Sequence, residues 1–228
     1  MRHAGLGTFG AVVSMVSMVS IAVGCGGAEE PPTLAVSRVT IDGCGLADEI
    51  ATGVATIEQP DLVLTVAHAL SGVGAVTVDG NQAVVLAIDA RSDLALLRIT
   101  GETDTAGPSV ESLRKSLRSA DSGDDAEVLL IRDDLVTATD SVIERVAVIR
   151  HTNKVDDTVM TRAGLVLDVE LVGGDSGAPV IGPDGRLLGL MYADAKDSPT
   201  SYAISAEEIQ SLLDDFTAGD VDVERQPC

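Results

Sequence analysis

Short runs rich in valine, isoleucine and leucine recur about every ten residues along most of this chain, a spacing that suits brief strands rather than long helices. In the first half they are VTI (39–41), ATGVATI (51–57), LVLTVA (62–67), AVTV (75–78), AVVLAI (83–88) and LALLRI (94–99). Asp79-Gly80-Asn81, between two of them, is a hairpin signal, because these residues tolerate the left-handed backbone of a tight turn. The pattern returns in AEVLLI (126–131), SVIERVAVI (141–149), TVMTRAGLVLDVELV (158–172), APVIG (178–182) and RLLGLMY (186–192), with Gly182-Pro183-Asp184-Gly185 as the turn between the last two. Residues 101–125 break it: their ends are polar, and VESLRKSL forms a short surface helix with Val110, Leu113 and Leu117 on one side. Arg114, Lys115 and Arg118 are the densest basic cluster and read as a solvated helix face rather than a docking patch. SAEEIQSLLDDF (205–216) closes the chain as a helix, with a serine cap, early acids, and Ile209, Leu212, Leu213 and Phe216 at helical spacing. Two β halves and a terminal helix suit a double β-barrel.

At 228 residues and 45% hydrophobic, the chain can bury a full core as one unit of one or two subdomains. Aromatic residues are only 2% with no tryptophan, so that core must rest on Val, Leu, Ile and Ala. The formal charge is −21, from 15 basic and 36 acidic residues, which argues against nucleic-acid binding because phosphates would be repelled. The acidity reads as a solvated surface. No His/Cys/carboxylate cluster has metal-ligand spacing, and no cofactor is expected.

Residues 1–24 read as an export signal: Arg2 and His3 precede an apolar stretch that ends in small residues. Ala22-Val23-Gly24-Cys25 resembles a bacterial lipobox, which would make Cys25 the lipidated first residue of the mature protein, although leucine is commoner at the position of Ala22. An ordinary signal-peptidase site nearby is the alternative, so the expected address is extracytoplasmic: lipid-anchored to a bacterial membrane or cell surface, or else periplasmic or secreted. Gly26 to about Ser37 is small, acidic and proline-bearing, a tether. With Cys25 lipidated, Cys44 and Cys228 remain as an even pair in an oxidising compartment, and a disulfide between them would clamp both ends of the fold.

Chemistry concentrates in three segments. GGDSGAPV (173–180) places Ser176 between glycines and after an aspartate, as a nucleophile on a tight turn between two apolar runs requires. TVAHAL (65–70) supplies His68, and SDLALLRI (92–99) supplies Asp93, with Asp89 as a rival four positions earlier. His3 falls in the signal, and His151 has no motif and reads as a surface residue.

In that order the three segments resemble the signatures of chymotrypsin/trypsin-fold serine peptidases, most closely the bacterial exported type, over roughly 39–216. The resemblance implies an all-β fold of two six-stranded antiparallel barrels: 39–105 the first barrel, 106–125 the connection, 126–204 the second, and 205–216 the C-terminal helix. It implies a serine endopeptidase acting on protein or peptide substrates through an acyl-enzyme. Ser176 would be the nucleophile, His68 its base and Asp93 the group that orients His68, with the N–H groups of Gly174 and Ser176 as oxyanion hole. A catalytically weak or inactive peptidase-fold lipoprotein acting as a binding module is the alternative. Ala178 departs from the commonest motif, which has a second glycine there, yet a methyl group should not block the turn. No PDZ-like segment follows the barrels, so a full HtrA-type architecture is not implied. Glu170, six positions before Ser176, is a candidate pocket acid that would favour Arg or Lys before the cut, or else a solvent-facing glutamate. Asp175 is the residue that a newly cleaved amino terminus engages in trypsin-like zymogens, and cleavage after Arg38 would expose Val39. The expectation here is instead that Asp175 pairs with an internal cation, for which Arg145, Arg150 and Arg162 are candidates, or with backbone N–H groups.

Overall fold

The computed structural model of the chain describes residues 31–43, 46–57, 59–70, 74–100, 110–152, 159–194 and 200–223; residues 1–24, expected to be an export signal, and Cys25, Cys44 and Cys228 lie outside them. The apolar runs of the first half become strands β1 (Leu34–Gly43), β2 (Leu46–Thr56), β3 (Gln59–Val66), β4 (Ala75–Val78), β5 (Asn81–Asp89) and β6 (Leu94–Ile99). They close as an antiparallel barrel in the order β1-β2-β3-β6-β5-β4, sealed where Val39 of β1 pairs with Val78 of β4. The Asp79-Gly80 turn joins β4 to β5 with φ of +48° and +79°, the two left-handed residues that a tight hairpin requires. β1 begins five residues before VTI, so Leu34–Arg38, which composition groups with the tether, pair with β2 as strand.

β3 from Leu62 to Val66 and β6 from Leu94 to Leu97 are buried at every position rather than at alternate ones. Leu62, Leu64, Leu94 and Leu96 share one cluster with Leu187, Leu190 and Ile204 of the second barrel and Ile209, Leu212 and Leu213 of the C-terminal helix. Strands covered on both faces read as continuous apolar runs, and this explains LVLTVA and LALLRI.

The second barrel consists of β7 (Asp125–Arg132), β8 (Leu135–Thr152), β9 (Val159–Asp168), β10 (Pro179–Ile181), β11 (Leu187–Asp194) and β12 (Thr200–Ser205). Its order is β10-β11-β12-β9-β8-β7, closed where Val180 of β10 pairs with Val128 of β7. Val128, Ile143, Leu165, Leu167, Leu188 and Met191 fill it, an aliphatic core. Two strands differ in extent from the sequence reading. β8 extends back to Leu135 because Asp133 and Asp134, at φ +51° and +61°, make a hairpin turn without glycine, so the usual signal is absent. β9 ends at Asp168, although the apolar run continues to Val172.

Helix α1 (Glu111–Ser116) and helix α2 (Ala206–Ala218) stand where helical spacing put them. Ser205 occupies the cap position of α2, but its hydroxyl makes no cap hydrogen bond, and Glu208 turns away to accept the Ala163 N–H of β9 at 2.8 Å. The basic cluster is not a free solvated face. Arg114 donates to the Leu213 carbonyl at 2.8 Å and to Asp214 and Thr217 at 2.9 Å, while Arg118 pairs with Asp124 at 3.2 Å and Asp184 at 3.5 Å. These arginines bind the connection to α2 and to the second barrel.

Candidate active site

His68 begins a single 3-10 turn (His68–Leu70) directly after β3, and Asp93 ends the turn between β5 and β6. β3 and β6 are paired from Leu62↔Arg98 to Val66↔Leu94, so the two residues emerge side by side at the same end of adjacent strands. The Asp93 carboxylate holds the histidine at two points: Oδ2 meets His68 Nδ1 at 2.8 Å, and Oδ1 accepts the His68 backbone N–H at 2.8 Å. Because a carboxylate only accepts, the Nδ1 contact fixes the proton on Nδ1 and leaves Nε2 as the basic nitrogen. Asp93 has φ +61°, a left-handed conformation that aspartate tolerates better than most residues, and its carbonyl accepts the Ala67 N–H at 3.0 Å. The rival Asp89 serves that turn instead, accepting the Arg91 N–H at 2.9 Å and the Ser92 hydroxyl at 2.5 Å.

Ser176 lies between β9 and β10 on a turn locked to both barrels. Its carbonyl accepts the Thr52 N–H of β2 at 2.7 Å, and the Thr52 hydroxyl donates to the Gly174 carbonyl at 3.0 Å. The Thr52 carbonyl in turn accepts the Thr65 hydroxyl at 2.8 Å, three residues before His68. On the other side, Gly177 N–H donates to the Met191 carbonyl at 2.6 Å, and Met191 N–H donates to the Ala178 carbonyl at 2.8 Å. Gly177 is compulsory: its φ is +89°, and a Cβ there would sit 1.8 Å from the Thr52 carbonyl oxygen. The Ala178 methyl is fully buried in the second core, so the departure from a second glycine is accommodated by packing. Among the described residues, neither Gly174 N–H nor Ser176 N–H donates to a backbone carbonyl, whereas Asp175, Gly177 and Ala178 all do.

Asp175 is buried and has both a cation and a backbone N–H as partners, but the cation is none of the three candidates. The cation is Arg132, at the end of β7, whose Nη2 meets Asp175 Oδ2 at 2.7 Å; the Val172 N–H donates to the same oxygen at 2.8 Å. Barrel closure explains the choice. Val128 pairs with Val180 in antiparallel register, so advancing four residues along β7 to Arg132 runs back from β10 toward Ser176 on the facing segment. Arg145 and Arg150 are exposed on β8. Arg162 is spent elsewhere, against Ser92 and Asp93. Arg132 also donates to the Glu170 carbonyl at 3.1 Å, while the Glu170 side chain is exposed beyond the end of β9. His151 lies in β8, paired with Met160.

Thr52, Thr65 and Arg132 therefore belong to the site although none of them was a candidate from sequence, Thr65 even while opening the TVAHAL segment. The signal for the two threonines was a polar residue inside an otherwise apolar strand, in ATGVATI and LVLTVA; both are buried.

The geometry agrees with comparison to known proteins. Residues 51–190, which carry His68, Asp93 and Ser176, match the trypsin-like peptidase domain family. By sequence alone, no curated protein matches the chain. Among solved structures, the Rv3671c protease from M. tuberculosis in its active form is similar, with a TM-score of 0.66 and 25% identity over 87% of this chain and 84% of that one. A serine endoprotease from Yersinia pestis has a TM-score of 0.58 at 17% identity, covering 82% of this chain and 64% of its own. An HtrA-type protease, AlgW, solved with a tripeptide, reaches 0.60 at 16% identity, over 82% and 60% of the two chains. With paired six-stranded barrels, a His–Asp couple on one and a GDSG turn held between them, this chain belongs to the trypsin-like peptidase family.

Proposed function

We propose that the chain is a serine endopeptidase that hydrolyses peptide bonds through an acyl-enzyme on Ser176. The observation that carries this reading is the two-point hold of Asp93 on His68, through Nδ1 and the backbone N–H, each at 2.8 Å. It leaves Nε2 to accept the Ser176 proton as Oγ attacks the scissile carbonyl carbon. The protonated His68 then passes that proton to the leaving amine as the C–N bond breaks. Water repeats the cycle: His68 takes its proton, the hydroxyl attacks the ester, and Ser176 recovers its proton as the acid leaves. The spare N–H groups of Gly174 and Ser176 are the proposed donors to the oxyanion, each worth about 3 kcal/mol of barrier.

An activity probe that phosphonylates reactive serines tests the assignment. Wild-type protein should be labelled at Ser176, and Ser176→Ala should not be labelled. Absence of labelling in the wild type, or its persistence in Ser176→Ala, would remove the enzyme reading.

The proposal extends to location, on the strength of the sequence: residues 1–24 direct export, Cys25 carries the lipid that holds the enzyme at a membrane, and Cys44 and Cys228 form a disulfide. Full-length protein expressed in bacteria should partition into the detergent phase, and Cys25→Ser should move it to the aqueous phase with activity unchanged. A mature protein that begins at a residue other than Cys25 and stays aqueous would overturn the anchor.

A further inference from the structure

The second barrel places a buried arginine behind the residue that orients the histidine. Arg162, on β9, is 3% exposed, and its Nη1 donates to the carbonyl of Ser92 and lies 3.8 Å from Asp93 Oδ2. Its guanidinium carbon is 3.7 Å from the centre of the Tyr192 ring. Its Nε and Nη2 are buried with no hydrogen-bond partner among the described residues. A buried guanidinium with so few hydrogen bonds costs stability relative to an apolar side chain of similar volume, so packing alone gives no reason for it. Tyr192 falls at a register shift of β11 between Met191 and Ala193, the kind of bulge that re-aims a side chain. Burial raises the tyrosine's pKa above its ordinary value, and the adjacent guanidinium opposes that rise.

The two neighbours in β11 thus reach the two halves of the site. Met191 holds the Ser176 turn through both its backbone groups, and Tyr192 supports the arginine that reaches Asp93. Ser92 immediately precedes the left-handed Asp93, so a hydrogen bond to its carbonyl acts directly on the strained turn that aims the carboxylate.

We infer that Arg162, seated on Tyr192, is a positioning residue that holds Asp93, and through it His68, in register with the nucleophile turn; this inference rests on the catalytic reading above. Arg162 donates no proton and touches no substrate. It fixes the first-barrel half of the site to the strand that carries the second half.

The test combines steady-state kinetics with proton NMR of the His68 Nδ1–H resonance, the latter in a Ser176→Ala background where turnover is irrelevant. Arg162→Met should broaden or abolish the resonance and lower kcat about 100-fold, the cost of a small misplacement. KM should change by less than about twofold, because substrate contacts are untouched. Arg162→Lys, which keeps the charge but loses the planar fork, should fall between Met and wild type. Tyr192→Leu should move both readouts in the same direction. A folded Arg162→Met with the wild-type resonance and kcat would overturn the inference. Where that variant does not fold, Tyr192→Leu decides in the same way. An inactive wild type whose resonance still depends on Arg162 would sink the catalytic reading alone, and an active wild type indifferent to Arg162 would sink this inference alone.

Discussion

Asparagine in place of Asp93 is expected to lower kcat by about 10⁴-fold while leaving the chain folded. The direction follows from which atoms Asp93 engages. Oδ1 faces the His68 backbone N–H, a donor that cannot be reversed, so the single oxygen of asparagine must stay there. The amide nitrogen then faces Nδ1 at the position where Oδ2 stood, 2.8 Å away, and two donors cannot meet. The imidazole must move its proton to Nε2, which removes the base that Ser176 needs. Asparagine matches aspartate in size and is among the few residues that tolerate φ near +61°, so the turn should survive. Circular dichroism should therefore match wild type while kcat collapses. An Asp93→Asn variant with kcat within tenfold of wild type would show that His68 is not oriented as described.

The second large effect concerns Arg132. Replacing it with methionine leaves the Asp175 carboxylate, 2% exposed, with the Val172 N–H as its one remaining hydrogen-bond donor among the described residues. An abandoned buried charge costs about 1–3 kcal/mol or more, and the chain can relieve it by swinging Asp175 toward water. That movement would carry Gly174 and Ser176 with it, since they flank Asp175 directly. Losing one oxyanion donor lowers kcat by about 10²–10³-fold, so a loss of that size is expected in Arg132→Met, with partial recovery in Arg132→Lys. By the resemblance to trypsin-like zymogens, Asp175 would be the residue that a cleaved amino terminus engages, and here it is already paired with Arg132. Val39, the residue such cleavage would expose, is buried in the middle of β1 and paired with both Ala51 and Val78. Protein beginning at residue 26 with Arg38→Gln should therefore be fully active. Activity confined to a chain that begins at Val39, together with an indifferent Arg132→Met, would restore the zymogen account.

Much of this molecule was legible residue by residue. AVTV and LALLRI coincide with β4 and β6: β4 buries alternate residues, Val76 and Val78, whereas β6 is buried from Leu94 to Leu97 and is apolar there throughout. The aliphatic composition announced the two cores, and the order His68, Asp93, Ser176, each in its own short motif, announced the family. Local chemistry was misleading where a turn lacked its usual residues: Asp133-Asp134 hid the start of β8, and a serine in cap position proved not to cap.

Tertiary structure decided what depends on register between distant strands. Four arginines, at 132, 145, 150 and 162, stand in or beside apolar runs and look alike in sequence. Which of them meets Asp175 is set by closure of the second barrel, where a one-residue slip would turn every side chain to the opposite face. Arg162 likewise reaches the first barrel only from its place on β9, and the β11 bulge brings Tyr192 against it. Pattern along a chain specifies which residues face a core, because burial is a local choice between water and apolar contact. Pairing across 43 residues, as between Arg132 and Asp175, exists only once both strands are in place.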